Sequence, residues 1–96
     1  MKAVLVIYNE AIDLEVTETL PRAGIEFYTK LTGVLGKGSG SGARLGNSIW
    51  PGGNRAILAA VGDQEAERLI EQVRKLQRDI PAEGLRVMWW TVEGMV

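Results

Sequence analysis

Glycines and two cations dominate the middle of this sequence. The segment between Gly33 and Asn54 reads GVLGKGSGSGARLGNSIWPGGN; it holds eight of the twelve glycines of a 96-residue chain, together with Lys37 and Arg44. Since glycine has no side chain, its backbone N–H groups can approach an anion closely, and a neighbouring cation adds positive charge. The stretch is therefore a candidate for a phosphate-binding loop, a flexible tether between two small domains, or a long hairpin that binds a ligand or a partner.

The standard phosphate motifs do not describe this stretch. A Walker-type loop needs G-x-x-x-x-G-K-[S/T], but Gly36-Lys37 has Leu31 at the first glycine position and Gly38 in place of the hydroxyl residue. Residues 38–43 match the dinucleotide pattern G-x-G-x-x-G/A, but no helical sequence follows them. The chemistry of the stretch therefore depends on the elements around it.

Composition excludes several classes of function. The chain has no cysteine and no histidine, so it has no thiolate or imidazole for a metal site, no His general base and no Cys nucleophile. Tyr28, Ser39 and Ser41 have no base partner in the sequence, and the acidic residues of the helices, Asp13 among them, are assigned to solvated helix surface. We therefore predict a protein that is not an enzyme and holds no metal.

Net charge and hydropathy limit the kinds of partner and the cellular location that we expect. The formal charge of −1 gives no general attraction for nucleic acid, and the apolar run at the start is too short for a signal sequence or a membrane span. We expect a cytoplasmic protein with no nucleic-acid partner and no membrane insertion.

The spacing of apolar residues predicts four strands and two helices. The first helix carries an apolar stripe from Ile12 to Ala23, and Pro21 indicates that it ends near Leu20 or in a distorted turn before Gly24. Asp63 is the predicted N-cap of the second helix, which Pro81 terminates. The predicted strands cover Lys2–Tyr8, Ile25–Leu35, Arg55–Val61 and Leu85–Val92.

This order predicts the α+β ferredoxin-like βαββαβ sandwich: a four-stranded antiparallel sheet with both helices on one face. Residues 1–96 then form a single domain, because neither half is long enough to bury a core of its own. The glycine-rich stretch becomes a long loop between strands 2 and 3, which rules out the tether.

The strands predict an oligomer. With both helices on one face, the other face should carry polar residues, yet both alternating sets are largely apolar in KAVLVIY, RAILAAV and LRVMWW. Monomers seldom expose so large an apolar surface. We therefore predict an obligate homo-oligomer with its sheets packed inward, with Trp89 and Trp90 on opposite faces of the last strand.

The whole chain resembles the nitrogen-regulatory PII superfamily, and most closely its small divergent members. The resemblance lies in G-I-x-x-x-T at Gly24-Ile25…Thr29, the glycine-and-basic turn from Gly33 to Gly38, the long loop, and the acidic start of the second helix. It implies a homotrimer of ferredoxin-like subunits, with clefts between subunits that bind adenine nucleotides beside the base of the loop. The ligand-binding residues it implies here are Thr29, Gly33, Gly36, Lys37, Gly38 and Arg44.

Three features depart from the classical members. The loop has no tyrosine, R-D-I-P-A-E-G replaces the glycine- and lysine-containing segment before the last strand, and the paired C-terminal arginines are absent. The resemblance therefore leaves the ligand open between an adenine nucleotide, another nucleotide, a small anion and none.

The same resemblance makes the loop the arm that contacts a protein partner. It divides into a base at 33–38, a mobile arm at 39–48, and a Trp-Pro-Gly-Gly return in which Trp50 is an anchor or a contact residue. The favoured function is ligand sensing coupled to this arm, and the alternative is a ligand-independent interaction module that regulates a transporter or an enzyme. The predicted partner-binding residues are Ser39, Ser41, Leu45, Asn47 and Trp50.

Overall fold

The computed structural model describes residues 1–38, 42–44, 53–80 and 84–96. These residues form six strands and two α-helices: β1 (Lys2–Asn9), α1 (Asp13–Arg22), β2 (Thr29–Val34), β3 (Gly36–Gly38), β4 (Gly42–Arg44), β5 (Asn54–Val61), α2 (Asp63–Asp79) and β6 (Arg86–Thr91). The main sheet has the antiparallel order β2-β5-β1-β6, and β3 and β4 pair as a separate ribbon. The predicted ferredoxin-like fold with a long connection between its second and third main strands is confirmed.

The core lies between the helices and one face of the sheet. Val4, Val6 and Tyr8 alternate along β1 and are at most 1% exposed, and they belong to one apolar cluster with residues of both helices. The helical members include Val16 and Leu20 of α1 and Leu69 and Val73 of α2. Each of these side chains stabilises the fold by roughly 1.5–3 kcal/mol through burial.

The first helix continues through Pro21. Proline removes one backbone hydrogen bond, but here it lies in the last turn, so the helix extends only to Arg22 and ends there. Gly24 then adopts a φ of +79°, and its N–H donates to the Pro21 carbonyl (3.0 Å) while Ile25 N–H donates to the Leu20 carbonyl (2.9 Å). This is a Schellman ending, and of the two predicted endings the turn before Gly24 is the correct one.

Two of the boundaries that differ from the predictions have a clear physical cause. The second strand begins at Thr29 rather than Ile25, because its pairing with β5 starts at Thr29 and Leu58. The N-cap of α2 is Gly62 rather than Asp63: the Glu65 carboxylate accepts from Gly62 N–H (3.1 Å), which makes Asp63 the first helical residue. The first difference arises from a strand pairing that a short sequence window does not contain, whereas the second arises from a contact between residues only three apart.

The face of the sheet away from the helices is apolar and open. Leu58 pairs with Leu5, and Leu5 pairs with Met88, so these side chains form a row across three strands; Trp90 and Leu31 lie in neighbouring rows. Leu58, Met88, Trp90 and Leu31 are 38–47% exposed. The two tryptophans do lie on opposite faces, but Trp89 is half-exposed on the helix side, because β6 is an edge strand.

Candidate functional site

The described part of the loop forms a two-stranded ribbon. Gly36 lies opposite Arg44, Lys37 opposite Ala43, and Gly38 opposite Gly42. The backbone therefore brings together four of the predicted ligand-binding residues: Gly36, Lys37, Gly38 and Arg44. Gly42–Arg44 belongs to the segment predicted as a mobile arm and is paired strand instead.

Thr29 does not join this group within one chain. It begins β2, whereas Gly36 follows the other end of that strand. Seven residues of extended chain separate the two positions by roughly 20 Å, at about 3.3 Å per residue. The predicted site is therefore split between the two ends of β2, which is an edge strand of the sheet.

Gly33 forms a β-bulge. Leu31 pairs with Ala56 and Val34 pairs with Asn54, so Thr32 and Gly33 together lie opposite the single residue Arg55. Gly33 has a φ of +67°, a conformation that glycine adopts without steric cost. Its observed role is to bend the outgoing strand of the loop.

A polar cluster lies beneath this bulge, and Asp13 at the start of α1 is its centre. The Tyr8 hydroxyl donates to Asp13 Oδ1 (2.6 Å), the Lys30 ammonium lies 2.9 Å from the same oxygen, and Arg55 Nη1 lies 2.9 Å from Oδ2. Lys30 Nζ also donates to Thr17 Oγ1 (2.9 Å) on the next turn of α1. Assigning Asp13 to solvated helix surface is wrong, because its donors come from three strands far apart in the sequence.

The cluster fixes the ionisation of two of its members. Partial burial pushes the pKa of Asp13 upward, but the hydrogen bonds from Tyr8 and Lys30 and the charges of Lys30 and Arg55 outweigh burial and hold it below its ordinary value. Burial, with the hydrogen bond to Asp13, raises the pKa of the Tyr8 phenol above its ordinary range. One carboxylate, two cations and a neutral phenol therefore meet here, with a net charge of +1.

This arrangement predicts an acid-dependent contribution to stability. Because the folded-state pKa of Asp13 is lowered, its contribution is present above the ordinary carboxyl pKa of about 4 and is lost as the pH falls through the folded value. We expect Asp13→Asn to lower the unfolding free energy by about 1–3 kcal/mol at neutral pH. The difference from wild type should shrink steadily below about pH 4, as measured by urea titrations. A difference that stays constant down to about pH 2 would contradict the ionised role of Asp13 among Tyr8, Lys30 and Arg55.

A groove of about 360 Å³ opens at the other end of β2, near Thr29. Pairing between β2 and β5 ends at Thr29 and Leu58, and residues 25–28 form no strand, so a gap remains beside the last residues of β5. Phe27 is 80% exposed at its mouth. The lining residues are Met1, Ile25, Glu26, Phe27, Ala60, Val61, Gly62 and Glu65.

Sequence reasoning missed this groove. The apolar pattern places Ile25 and Phe27 in the second strand, and the return of β5 into α2 carries no recognisable binding motif. The available signal was the G-I-x-x-x-T segment, whose Ile25 lines the groove and whose Thr29 is the residue at which pairing with β5 begins.

The remaining predicted residues lie elsewhere. Ser39, Ser41, Leu45, Asn47 and Trp50 fall outside the described residues. In the part of the chain that the structure describes, no three acidic side chains come close enough to hold a metal ion. Among the same residues, neither helix is long and apolar enough to cross a bilayer.

A profile of the nitrogen regulatory protein P-II family matches residues 1–91. The chain belongs to this family. The predicted resemblance is therefore confirmed, and the chain is a PII-like protein of a family of regulatory signalling proteins. No match was found among curated proteins.

Solved structures with the same fold include PII-like proteins. CPII, a nitrogen regulatory PII-like protein from Thiomonas intermedia K12 bound to ADP, AMP and bicarbonate, is 25% identical; the match has a TM-score of 0.77 and covers 93% of this chain and 82% of that one. CPII bound to ADP and bicarbonate gives 28% identity and a TM-score of 0.74, with the same coverage. A PII-like signalling protein from Thermus thermophilus, 20% identical with a TM-score of 0.60 over 93% and 81% of the two chains, shares the fold.

Proposed function

We propose that this P-II protein is a homotrimeric signalling protein of the cytoplasm. Residues 1–96 form one domain, an adenine nucleotide binds in the clefts between subunits, and the 36–53 loop contacts a partner protein. The observation that carries the proposal is the split site: the groove at 25–27 and the ribbon formed by 36–38 and 42–44 lie at opposite ends of an edge strand. A second subunit can bring the two halves together.

The open apolar face supports the trimer. Its Leu5–Leu58–Met88 row is too exposed for a stable monomer surface, and three sheets packed inward would cover it. A closed three-fold ring uses the same head-to-tail interface three times. Each subunit then presents its groove to one neighbour and its ribbon to the other.

The groove and the ribbon differ in chemistry, and this difference indicates which part of the ligand each of them binds. Ile25, Phe27 and Val61 give the groove apolar walls suited to a planar base, whereas Glu26 and Glu65 repel phosphate. The ribbon supplies glycine N–H groups, which suit phosphate oxygens, and its sequence adds the positive charges of Lys37 and Arg44. We therefore place the base in the groove of one subunit and the phosphates at the ribbon of its neighbour.

The solved structures support the class of ligand. CPII is described as bound to ADP and AMP, together with bicarbonate. Ordering of the loop by the bound nucleotide would then expose or withdraw the surface that Ser39, Ser41, Leu45, Asn47 and Trp50 offer to a partner.

We expect calorimetry to detect binding of ADP or AMP, and two substitutions to weaken it from opposite sides of the cleft. Phe27→Ala removes an apolar wall of the groove and Lys37→Ala removes a positive charge of the ribbon; each should weaken binding about tenfold or more. Leu14→Ala truncates an exposed apolar side chain on α1 and should leave the affinity unchanged.

A failure of the wild-type protein to bind any of the tested ligands is equally informative. If wild type binds none of ATP, ADP, AMP or bicarbonate, nucleotide sensing is wrong for this chain. The alternative, a ligand-independent interaction module, then predicts that the same partner co-purifies with and without added nucleotide.

A further inference from the structure

Asp13 joins three strands at the end of the sheet from which the loop departs. Tyr8 on β1, Lys30 on β2 and Arg55 on β5 all contact its carboxylate, at distances of 2.6–2.9 Å. Lys30 precedes the bulge on the outgoing strand, and Arg55 lies opposite that bulge on the returning strand. A single side chain of α1 therefore holds both strands that lead into the loop.

A second contact fixes the returning strand at the same place. Glu10 N–H, in the turn before α1, donates to the Gly53 carbonyl (2.9 Å), one residue before β5 begins. The Asn9 side chain caps this turn by accepting from Ala11 N–H (2.8 Å). The start of the first helix and the end of the loop are thus one connected unit.

Within this unit, the Asp13 carboxylate is the group that neutralises the positive charges of Lys30 and Arg55, and an apolar side chain could not do so. The side chains of Lys30 and Arg55 are 25% and 30% exposed, so water screens their mutual repulsion only in part. With the carboxylate present each cation has a partner, and without it two like charges remain on adjacent strands. At the bulge, two residues of β2 lie opposite the single residue Arg55, which interrupts the regular pairing of the strands. Repulsion between the two cations would therefore separate β2 from β5 first at this point.

We propose that Asp13 is a positioning residue for the ligand site of this protein. Its carboxylate sets the spacing of β2 and β5 at the bulge and so fixes where β3 and β4, with their glycine N–H groups, lie relative to the sheet. The expected effect of Asp13 on ligand binding rests on the proposed function, whereas its expected effect on the spacing of β2 and β5 does not.

Hydrogen exchange of the full chain without ligand tests the strands directly. In Asp13→Asn, the amides of residues 29–34 and 54–57 should exchange about tenfold faster or more, while those of Val4 and Val6 in the core should change much less. Glu18→Gln breaks the exposed pair with Arg22 on the same helix and is the matched control, expected to leave both groups unchanged.

The double variant Asp13→Asn/Arg55→Gln distinguishes repulsion between the two cations from a general loss of structure. It also tests the proposal if the single variant folds poorly. Removing one of the two cations should restore much of the protection of residues 29–34. Equal acceleration of core and strand amides in Asp13→Asn, or no restoration in the double variant, overturns the proposal.

Nucleotide titration then separates this inference from the proposed function. If wild type binds ADP or AMP, Asp13→Asn should weaken binding, although Asp13 is on the helix side of the sheet and does not line the groove. Unchanged affinity together with loosened strands refutes the positioning role alone. Absence of binding by wild type refutes the proposed function and leaves the exchange experiment as the test of the strand spacing.

Discussion

Leu58→Asp is expected to convert the assembled protein into monomers at micromolar concentration. Leu58 lies in the central row of the open face, on an interior strand, between Thr29 and Leu5. In an assembly with sheets packed inward, the carboxylate would be buried without a partner, at a free-energy cost of several kcal/mol per subunit. In the monomer the same position is 38% exposed, so the new charge reaches water and the fold persists. Light scattering coupled to size-exclusion chromatography measures the change in mass.

Leu14→Asp is the matched control for this prediction. Leu14 is 67% exposed on α1, away from the open face, and the same substitution there should leave the mass unchanged. A wild-type protein that is already monomeric at micromolar concentration would refute the oligomer. Dissociation by both variants would show that added charge, rather than the open face, is responsible.

Leu20→Ala should produce the largest loss of stability. Leu20 is 1% exposed and belongs to the core, and its carbonyl also accepts the Ile25 N–H that closes the end of α1. Truncation leaves a cavity and removes the apolar contact that accompanies a Schellman ending. We expect the unfolding free energy to fall by about 3–5 kcal/mol, measured by urea titration at one fixed protein concentration, because assembly also stabilises the fold.

Leu14→Ala makes the same change six residues earlier on the same helix. Since Leu14 is largely exposed, its truncation should change the unfolding free energy by no more than about 0.5 kcal/mol. Comparable losses in the two variants would mean that the apolar face of α1 has been assigned incorrectly.

The order and type of the elements follow from local spacing. Val4, Val6 and Tyr8 alternate, as a strand requires, and Ala66, Leu69, Ile70 and Val73 recur at helical intervals; all of these side chains are buried. Such patterns predict the folded structure correctly because they identify the side of each helix or strand that faces the core. They were sufficient to predict the fold and the unusual apolarity of the second sheet face, whereas the family was predicted from the resemblance carried by the G-I-x-x-x-T segment and the glycine-and-basic turn.

The glycine-rich stretch was predicted in outline and corrected in detail. Sequence alone assigned it to the connection between the second and third main strands, with Lys37 near its start. The ribbon pairing of Gly36 with Arg44 and the bulge at Gly33 came from the structure. Both depend on which residue lies opposite which, and a shift of one residue would alter every such pair.

The sequence by itself determined which segments become helices and strands, because periodicity and end signals are properties of neighbouring residues. Only the tertiary structure decided what those segments bring together. Asp13 gains its role from Tyr8, Lys30 and Arg55, and the groove arises where β2 stops pairing with β5. The physical reason is that electrostatic and hydrogen-bond energies depend on distances of a few ångströms in space, and residues 8, 13, 30 and 55 reach such distances only after the sheet has assembled.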